Sequence, residues 1–194
     1  MGIRDRGTVL GPHVLLERDT MLGEQCQIAK GAVIGSDPQD LKYEGEPSRL
    51  IVGDRTVVRE HATLNRGTRA SGKTTVGSDC LIMAYAHVAH DCEIGNHVIL
   101  SNAVNMGGHV VIEDWAIVGG LTAIHQFVRI GAHSFCGGGS RVPQDIPPYV
   151  KVAGNPVKPY GLNSVGLERR GASEDVRRAL KQTYQVLFQS KLTL

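Results

Sequence analysis

A six-residue repeat runs through residues 76–99, which read Val76-Gly-Ser-Asp-Cys-Leu, Ile82-Met-Ala-Tyr-Ala-His, Val88-Ala-His-Asp-Cys-Glu and Ile94-Gly-Asn-His-Val-Ile. Each segment opens on an aliphatic residue, and the position four further on is small or β-branched. The pattern extends from Leu10 to Ile130. A repeated hexapeptide is typical of a parallel β-helix, in which three units form one triangular coil of 18 residues. The sequence therefore predicts an all-β fold with one large and one small buried position in each unit.

Two gaps interrupt this repeat without changing its phase. The aliphatic positions resume at Val52 after Ile34, and at Val76 after Leu64, each time at a multiple of six residues. Both gaps are therefore predicted as loops that leave the coils intact. The first, an insertion at residues 36–50, is polar and contains two prolines. Loops on rigid scaffolds often carry function.

The repeat fades near Val142, where prolines become frequent. We assign residues 1–160 to the β-helix and residues 161–194 to a C-terminal helical region. One helix is predicted to begin after Ser173, a good N-cap residue, because apolar residues recur at helical spacing beyond it. Glycine often follows the large buried position, as at Gly77, and we expect it to provide unusual dihedral angles at the corners.

The composition indicates a protein of one domain. The chain has 194 residues and a net charge of +2, which argues against nucleic acid or a membrane surface as a partner. No apolar run is long enough to cross a bilayer and no leader peptide is recognisable, so we expect a cytoplasmic protein. The four cysteines occupy buried positions of the repeat, and packing explains them better than disulfides or a metal.

The eight histidines separate into two groups when they are sorted by the coil period of 18. His61, His97 and His133 share one remainder, and with His13 they are interpreted as polar residues on an outer face. In the second group, His90, His109 and His125 are expected to line one edge of the prism on three successive coils, with His87 a few positions away.

This second group has two interpretations. Turns favour polar residues, so its alignment could be accidental. However, His109 follows Gly107-Gly108, whose backbone amides are accessible to an oxyanion, and Gln126 follows His125. A base beside amide donors is the arrangement that acyl transfer needs.

Five longer motifs carry a resemblance to a known family, and the match spans most of residues 7–190. The motifs are Gln39-Asp-Leu-Lys-Tyr-Glu-Gly-Glu-Pro-Ser-Arg49, Ala86-His-Val-Ala-His-Asp91, Gly119-Gly-Leu-Thr-Ala-Ile-His-Gln-Phe127, Gln144-Asp-Ile-Pro-Pro-Tyr149 and Gly166-Leu-Glu-Arg-Arg-Gly171. With them the chain resembles the acyl-[acyl-carrier-protein]:UDP-N-acetylglucosamine O-acyltransferases. The resemblance implies a left-handed parallel β-helix, a homotrimer with active sites between subunits, and no cofactor or metal. It implies transfer of an (R)-3-hydroxyacyl chain from acyl carrier protein to UDP-N-acetylglucosamine, the first step of lipid A synthesis.

The resemblance also implies roles for individual residues. His90 would be the general base, Asp91 would help to hold its imidazole, and the Gly108 amide would stabilise the oxyanion. We expect a smaller role for Asp91, because adjacent residues on a strand point to opposite faces. The remaining matches would contact substrate, with Gly138 limiting acyl length: Asp40, Lys42, His87, His109, His125, Gln126, Gly138, Asn163, Arg169 and Arg170.

The chain also departs from the family pattern. It resembles a family member shortened at both ends, and Asn65 and Val165 stand where the family commonly has histidine and glutamate. These departures leave open a relative that binds nucleotide sugar or carrier protein without turnover. A carbonic-anhydrase-like zinc enzyme and an N-acyltransferase on an amino sugar are further alternatives.

Overall fold

Short parallel strands form at every hexapeptide and build a three-sided prism, in a computed structural model that describes residues 3–4 and 6–190. We name its three sheets A, B and C. Sheet A contains Ile3–Arg4, Thr20–Leu22, Arg49–Val52, Lys73–Val76, Glu93–Ile94, Val111–Ile112 and Arg129–Ile130. Sheet B contains Val9–Leu10, Gln27–Ile28, Val57–Val58, Leu81–Ile82, Ile99–Leu100, Ile117–Val118, Phe135–Cys136, Val150–Ala153 and Lys158–Leu162. Sheet C contains Leu15–Leu16, Val33–Ser36, Thr63–Asn65, His87–Val88, Asn105–Met106, Ala123–Ile124 and Arg141–Val142.

The strand register confirms the predicted coil and both loops. Ile82 pairs with Leu100, 18 residues on. Leu22 instead pairs with Val52, and Val52 with Val76, so 12 and 6 extra residues are looped out of two coils.

We call residues 37–48 loop 1 and residues 66–72 loop 2. The chain turns from sheet A to B at the A–B edge, from B to C at the B–C edge, and from C to A at the C–A edge. Both loops lie on the C–A edge.

The core consists of the two buried positions of the repeat. Large side chains such as Ile82 and Leu100 are fully buried, as are small ones such as Ala86 and Cys92. All four cysteines are buried and unpaired, as their positions in the repeat predict. Burial raises the pKa of the Cys80 thiol to about 11 and that of Cys92 to about 12, so both thiols are protonated at neutral pH.

The reason for the recurrent glycines is not the predicted one. Gly77 and Gly95 do not have positive φ angles; the residues two further on do, with φ 58° at Asp79 and 57° at His97. A Cβ at Gly77 would instead lie 2.4 Å from the carbonyl oxygen of Gly95 on the next coil. Close approach between coils therefore requires glycine at this position, whereas the left-handed corner accepts ordinary side chains.

Sorting the histidines by a fixed period failed for His61. Loop 2 adds six residues to one coil, so His61 lies on the B–C edge, where its ring stacks on Tyr85. His97 and His133 lie on the A–B edge, where Trp115 stacks between them at centroid distances of 3.9 and 6.1 Å. None of the three lies on the C–A edge.

The chain beyond the prism contains an antiparallel strand pair and a first short helix that the sequence pattern did not predict. Val150–Ala153 and Lys158–Leu162 form an antiparallel pair at the end of sheet B, in the proline-rich segment where the repeat fades. Two helices follow, α1 at Ser164–Arg169 and α2 at Glu174–Gln189. The start of α2 is confirmed, since the Ser173 hydroxyl caps it at 3.3 Å from the Val176 amide. Among the described residues, neither helix is apolar and long enough to cross a membrane.

We expect Gly77→Ala to destabilise the fold by about 1–3 kcal/mol, because its Cβ meets rigid backbone of the next coil. Gly139→Asn is the matched control. Gly139 has a φ of 67°, a Cβ added there would have no neighbour within 4 Å, and Asn tolerates that conformation. Urea unfolding measures both. A Gly77→Ala protein as stable as the parent would contradict the close approach of the two coils.

Candidate active site

The C–A edge gathers the residues that the sequence grouped by coil period. His90 and Asp91 lie in the corner after the strand His87–Val88, and Gly108 and His109 lie one coil further on. His125 and Gln126 follow at the next coil. Centroids of the His90 and His109 rings are 5.3 Å apart, with the rings perpendicular. The edge predicted from periodicity is therefore present, with His90 and His109 in contact.

Asp91 holds the His90 imidazole directly. The His90 Nδ1 atom lies 2.8 Å from Asp91 Oδ2, and the Asp91 side chain is fully buried. The expectation that neighbouring residues point apart was wrong here, because Asp91 is not on a strand. It occupies a corner with φ 58°, which turns its carboxylate back toward His90.

Loop 2 surrounds the Asp91 carboxylate with further donors. Thr68 donates its backbone amide to Oδ1 at 3.0 Å and its hydroxyl to Oδ2 at 2.8 Å. The Ser71 amide donates to Oδ1 at 3.3 Å, and the Ser71 hydroxyl also donates to Oδ1. Burial alone would raise the pKa of Asp91, but the hydrogen bonds from Ser71, His90 and Thr68 outweigh it and lower the pKa to about 2.

This ionised carboxylate fixes the tautomer of His90. A carboxylate only accepts hydrogen bonds, so Nδ1 of His90 must carry the proton that it donates to Asp91. In the neutral ring the other nitrogen, Nε2, is then left with a lone pair. The pair is thus arranged as a base with its orienting acid.

Gly108 lies against the face of this imidazole. A Cβ at Gly108 would be 2.4 Å from Cε1 and 2.7 Å from Nε2 of His90, so the ring fits only over a glycine. Within residues 6–190 the Gly108 amide donates no hydrogen bond, although its carbonyl accepts one from Phe127. A free amide donor therefore lies beside the basic nitrogen.

Other side chains complete the surface around His90. His109 stacks on Phe127 with the rings 4.6 Å apart, and Phe127 is 65% exposed. His87 Nδ1 lies 2.7 Å from the Thr63 hydroxyl. Burial, followed by the nearby His90, lowers the pKa of His87, so His87 is neutral at neutral pH. His125 is exposed, with its Nδ1 at 3.1 Å from the Gln126 carbonyl oxygen.

Loop 1 places Asp40 and Lys42 above the same edge. The Asp40 carboxylate accepts the Lys42 amide at 3.0 Å, which tightens the turn. Lys42 itself is exposed. Its ammonium is therefore accessible to an anionic group, as expected from its place in a polar loop.

Four predicted residues lie away from this edge. Gly138 is on the B–C edge, where a Cβ would approach the Gly120 carbonyl oxygen at 3.1 Å. Asn163 caps α1 and donates to the His133 carbonyl at 2.9 Å. Arg170 lies 5.1 Å from the centroid of Trp115 and bonds to the His133 ring. The exposed Arg169 is the last residue of α1 and lines a cavity of about 270 Å³. One protomer therefore does not bring these four to His90.

His90, Asp91 and His109 could in principle hold a metal ion, because their ligand atoms lie within 4.8 Å of one another. The hydrogen bonds argue against it. A carboxylate offers about four lone-pair sites, and Thr68, Ser71 and His90 already direct donors to both oxygens of Asp91. Zinc binding would require these bonds to break, so the donor set fits an orienting acid better than a ligand.

The residues of loop 2 and the position of Phe127 were not predicted from the sequence. Arg66, Thr68 and Ser71 belong to the second gap in the repeat, which periodicity identifies only as a loop. A usable signal was available, since three residues with hydrogen-bonding side chains were inserted at the same edge as the histidines.

A β-helix of hexapeptide repeats whose edge carries a base with its orienting acid has the fold and the chemical groups of a hexapeptide-repeat transferase. Comparisons with known proteins agree. A model of bacterial transferase hexapeptide repeats matches residues 73–108, and one described as UDP N-acetylglucosamine O-acyltransferase, domain 2, matches residues 145–194. The chain belongs to the UDP-N-acetylglucosamine O-acyltransferase family.

Individual relatives support this assignment. The Burkholderia orbicola (strain MC0-3) protein named acyl-[acyl-carrier-protein]--UDP-N-acetylglucosamine O-acyltransferase is 50% identical over 174 residues, which are 89% of this chain and 66% of that protein. A crystal structure of a UDP-N-acetylglucosamine acyltransferase matches with a TM-score of 0.95 and 42% identity, over 98% of this chain and 74% of the other. The Bacteroides fragilis 9343 enzyme matches with a TM-score of 0.93 and 34% identity, over 99% and 82%. The chain spans 64% to 66% of the length of the curated relatives it matches.

We expect Asp91→Asn to lower the free energy of unfolding by about 1–3 kcal/mol at pH 7, since it removes charge-assisted hydrogen bonds. The pKa of Asp91 falls on folding from 3.8 to about 2. Its stabilisation is therefore present above pH 4 and is lost as the pH falls toward 2. The difference between parent and variant should shrink over that range in urea titrations.

Asp175→Asn provides the control, because it removes the same charge from a side chain that is 90% exposed. It should change stability by no more than about 0.5 kcal/mol at any pH. A gap between parent and Asp91→Asn that stays constant from pH 5 to 2 would contradict the assigned role of the carboxylate.

Proposed function

We propose that this protein transfers an (R)-3-hydroxyacyl chain from acyl carrier protein to the glucosamine 3-hydroxyl of UDP-N-acetylglucosamine, the first step of lipid A synthesis. The observation that carries the proposal is the His90 imidazole, whose Nδ1 bonds to the buried Asp91 carboxylate and whose ring face packs over Gly108. Membership of the family and the names of the relatives support the same reaction.

The proposed mechanism begins with His90 as general base. Nε2 takes the proton of the sugar 3-hydroxyl while the hydroxyl oxygen attacks the thioester carbonyl carbon. Asp91 stabilises the imidazolium that forms, because its charge is retained and hydrogen-bonded to Nδ1. The carbonyl oxygen becomes an oxyanion, for which the free Gly108 amide is a donor. Collapse of this intermediate breaks the carbon–sulfur bond, and the imidazolium returns its proton to the departing thiolate.

Substrate contacts are proposed at the remaining residues. Lys42, in loop 1, has the charge to contact the diphosphate, and Asp40 holds the turn that presents it. His87 and His109, which are half-buried, and His125 and Gln126, which are exposed, lie around His90. The neutral state of His87, whose pKa is lowered by burial, suits a hydrogen bond to an uncharged sugar or acyl group.

A homotrimer is part of the proposal. Gly138, Asn163, Arg169 and Arg170 lie away from the C–A edge that carries His90. A site that uses all of them would need edges from different protomers to meet. This distribution supports active sites between subunits, as the resemblance implies. The cytoplasmic location expected from the sequence stays a prediction.

The decisive test is transfer of labelled 3-hydroxyacyl chains of several lengths from acyl carrier protein to UDP-N-acetylglucosamine. The parent should be active, and His90→Ala should lower kcat by about 10²–10⁴-fold because the general base is lost. His13→Ala, which changes an exposed histidine on the B–C edge, should leave kcat within two-fold of the parent.

Three outcomes would count against the proposal. Full activity in His90→Ala would remove the assigned base. No transfer by the parent with any donor would instead favour a binding protein without turnover. Stoichiometric zinc in the purified protein, lost in His90→Ala, would support the metalloenzyme alternative.

Gly108→Ala should lower kcat by about 10²-fold. The new Cβ would lie 2.4 Å from the His90 ring and displace it from the reacting atoms, and a misplacement of about 1 Å has an effect of that size. Circular dichroism should show an unchanged fold. A folded Gly108→Ala protein with the kcat of the parent would exclude the proposed packing of base and oxyanion donor.

A further inference from the structure

Loop 2 lies between loop 1 and the His90 corner on successive coils of the C–A edge, and it contacts both. Its backbone joins loop 1 at two points, where the Arg66 amide donates to the Ser36 carbonyl at 3.0 Å and the Arg69 amide donates to Glu46 Oε1 at 3.1 Å. Its hydroxyl groups reach the opposite way, to Asp91. An insertion of six residues therefore connects the segment proposed to hold substrate with the carboxylate proposed to orient the base.

The side chain of Arg66 makes further contacts with loop 1 and with the strand before it. It is only 3% exposed, which is unusual for an arginine. One guanidinium nitrogen donates to the Gly35 carbonyl at 2.9 Å, and the other donates to the Asp37 carboxylate and to the Tyr43 hydroxyl at 3.1 Å. These three acceptors lie in the strand before loop 1, at the start of loop 1 and in its middle. Asp40 and Lys42 lie between the second and third of them, so the span that carries both residues is fixed at its two ends.

Thr68 and Ser71 make the contact with Asp91. Each uses both its backbone amide and its hydroxyl on that carboxylate. Nothing in the proposed chemistry requires a substrate to touch these hydroxyls. They act through Asp91, whose Oδ2 accepts both the Thr68 hydroxyl and the His90 Nδ1 proton.

We propose that loop 2 is a positioning device with two separable functions: Arg66 fixes the part of loop 1 that binds nucleotide sugar, and Thr68 and Ser71 fix the carboxylate that orients His90. This inference deepens the proposed function and rests on it. The two functions predict different kinetic signatures. Loss of the first weakens substrate binding, whereas loss of the second slows the chemical step.

The first function is tested with Arg66→Met, Arg66→Lys and Tyr43→Phe in the transfer assay. Arg66→Met should raise KM for UDP-N-acetylglucosamine at least ten-fold, with kcat and its pH profile changed less than three-fold. Arg66→Lys should recover part of the loss, since lysine can still reach Asp37 or Gly35 but lacks the planar fork. Tyr43→Phe removes one acceptor without disturbing the buried arginine and should raise KM a few-fold. Arg59→Met, which breaks an exposed pair with Glu60, is the control and should leave both constants unchanged.

The second function is tested with Thr68→Val, which keeps the side-chain shape and the backbone amide but removes the hydroxyl. It should lower kcat by about three- to ten-fold and leave KM for UDP-N-acetylglucosamine unchanged. If Arg66→Met does not fold, Tyr43→Phe and Thr68→Val still test the two functions, because neither leaves a buried charge.

The outcomes separate this inference from the proposed function. An active parent with unchanged KM in the folded Arg66 and Tyr43 variants would overturn the inference alone, as would a loss of kcat without any rise of KM in Arg66→Met. A parent without transfer activity would overturn both. Isothermal titration of UDP-N-acetylglucosamine into each variant checks that a raised KM reflects weaker binding.

Discussion

The close stacking of successive coils is the constraint on which the rest of this structure depends. Parallel strands must approach to about 4.8 Å to exchange backbone hydrogen bonds. At the corner after the strand Lys73–Val76 of sheet A the backbones come so near that the carbonyl oxygen of Gly95 would lie 2.4 Å from a Cβ at Gly77. The same spacing places each large aliphatic side chain directly on the one below, so that Ile82 and Leu100 exclude water completely. Repetition of one contact therefore determines both the glycine pattern and the aliphatic pattern.

Stacking also explains why the candidate site lies along an edge. A coil can lengthen at a corner without disturbing its neighbours, and both loops lie at corners of the C–A edge. Residues of successive coils that occupy equivalent corners, such as Asp91 and His109, are brought close although they are far apart in sequence. The left-handed corner conformation then turns the Asp91 carboxylate toward the side chain that precedes it. The backbone conformation of this corner, together with the two side chains, therefore determines the geometry of the His90–Asp91 pair.

The sequence predicted the fold well because its signal was a period. The coil of 18 residues, the two loops, the burial of the cysteines and the cap at Ser173 were all confirmed. His61 was placed wrongly because a fixed period cannot account for six residues that are looped out upstream of His97. The antiparallel pair that begins at Val150 was missed because prolines obscured it.

Within the candidate site, the period of the repeat correctly placed His90 and His109 on the same edge. It could not place Arg66 and Thr68, because they lie where the repeat is absent. Roles in substrate binding, at Asp40 or Arg169 for example, stay predictions.

The stack of rings on the A–B edge gives the molecule an intrinsic optical probe. Trp115 is the only tryptophan in the chain. It lies between two histidine rings and beneath the guanidinium of Arg170, which connects it to α1. Its fluorescence therefore reports on how α1 is seated against the prism, at an edge other than the one that carries His90. Emission from this one residue can follow the docking of α1 in any variant without an added label.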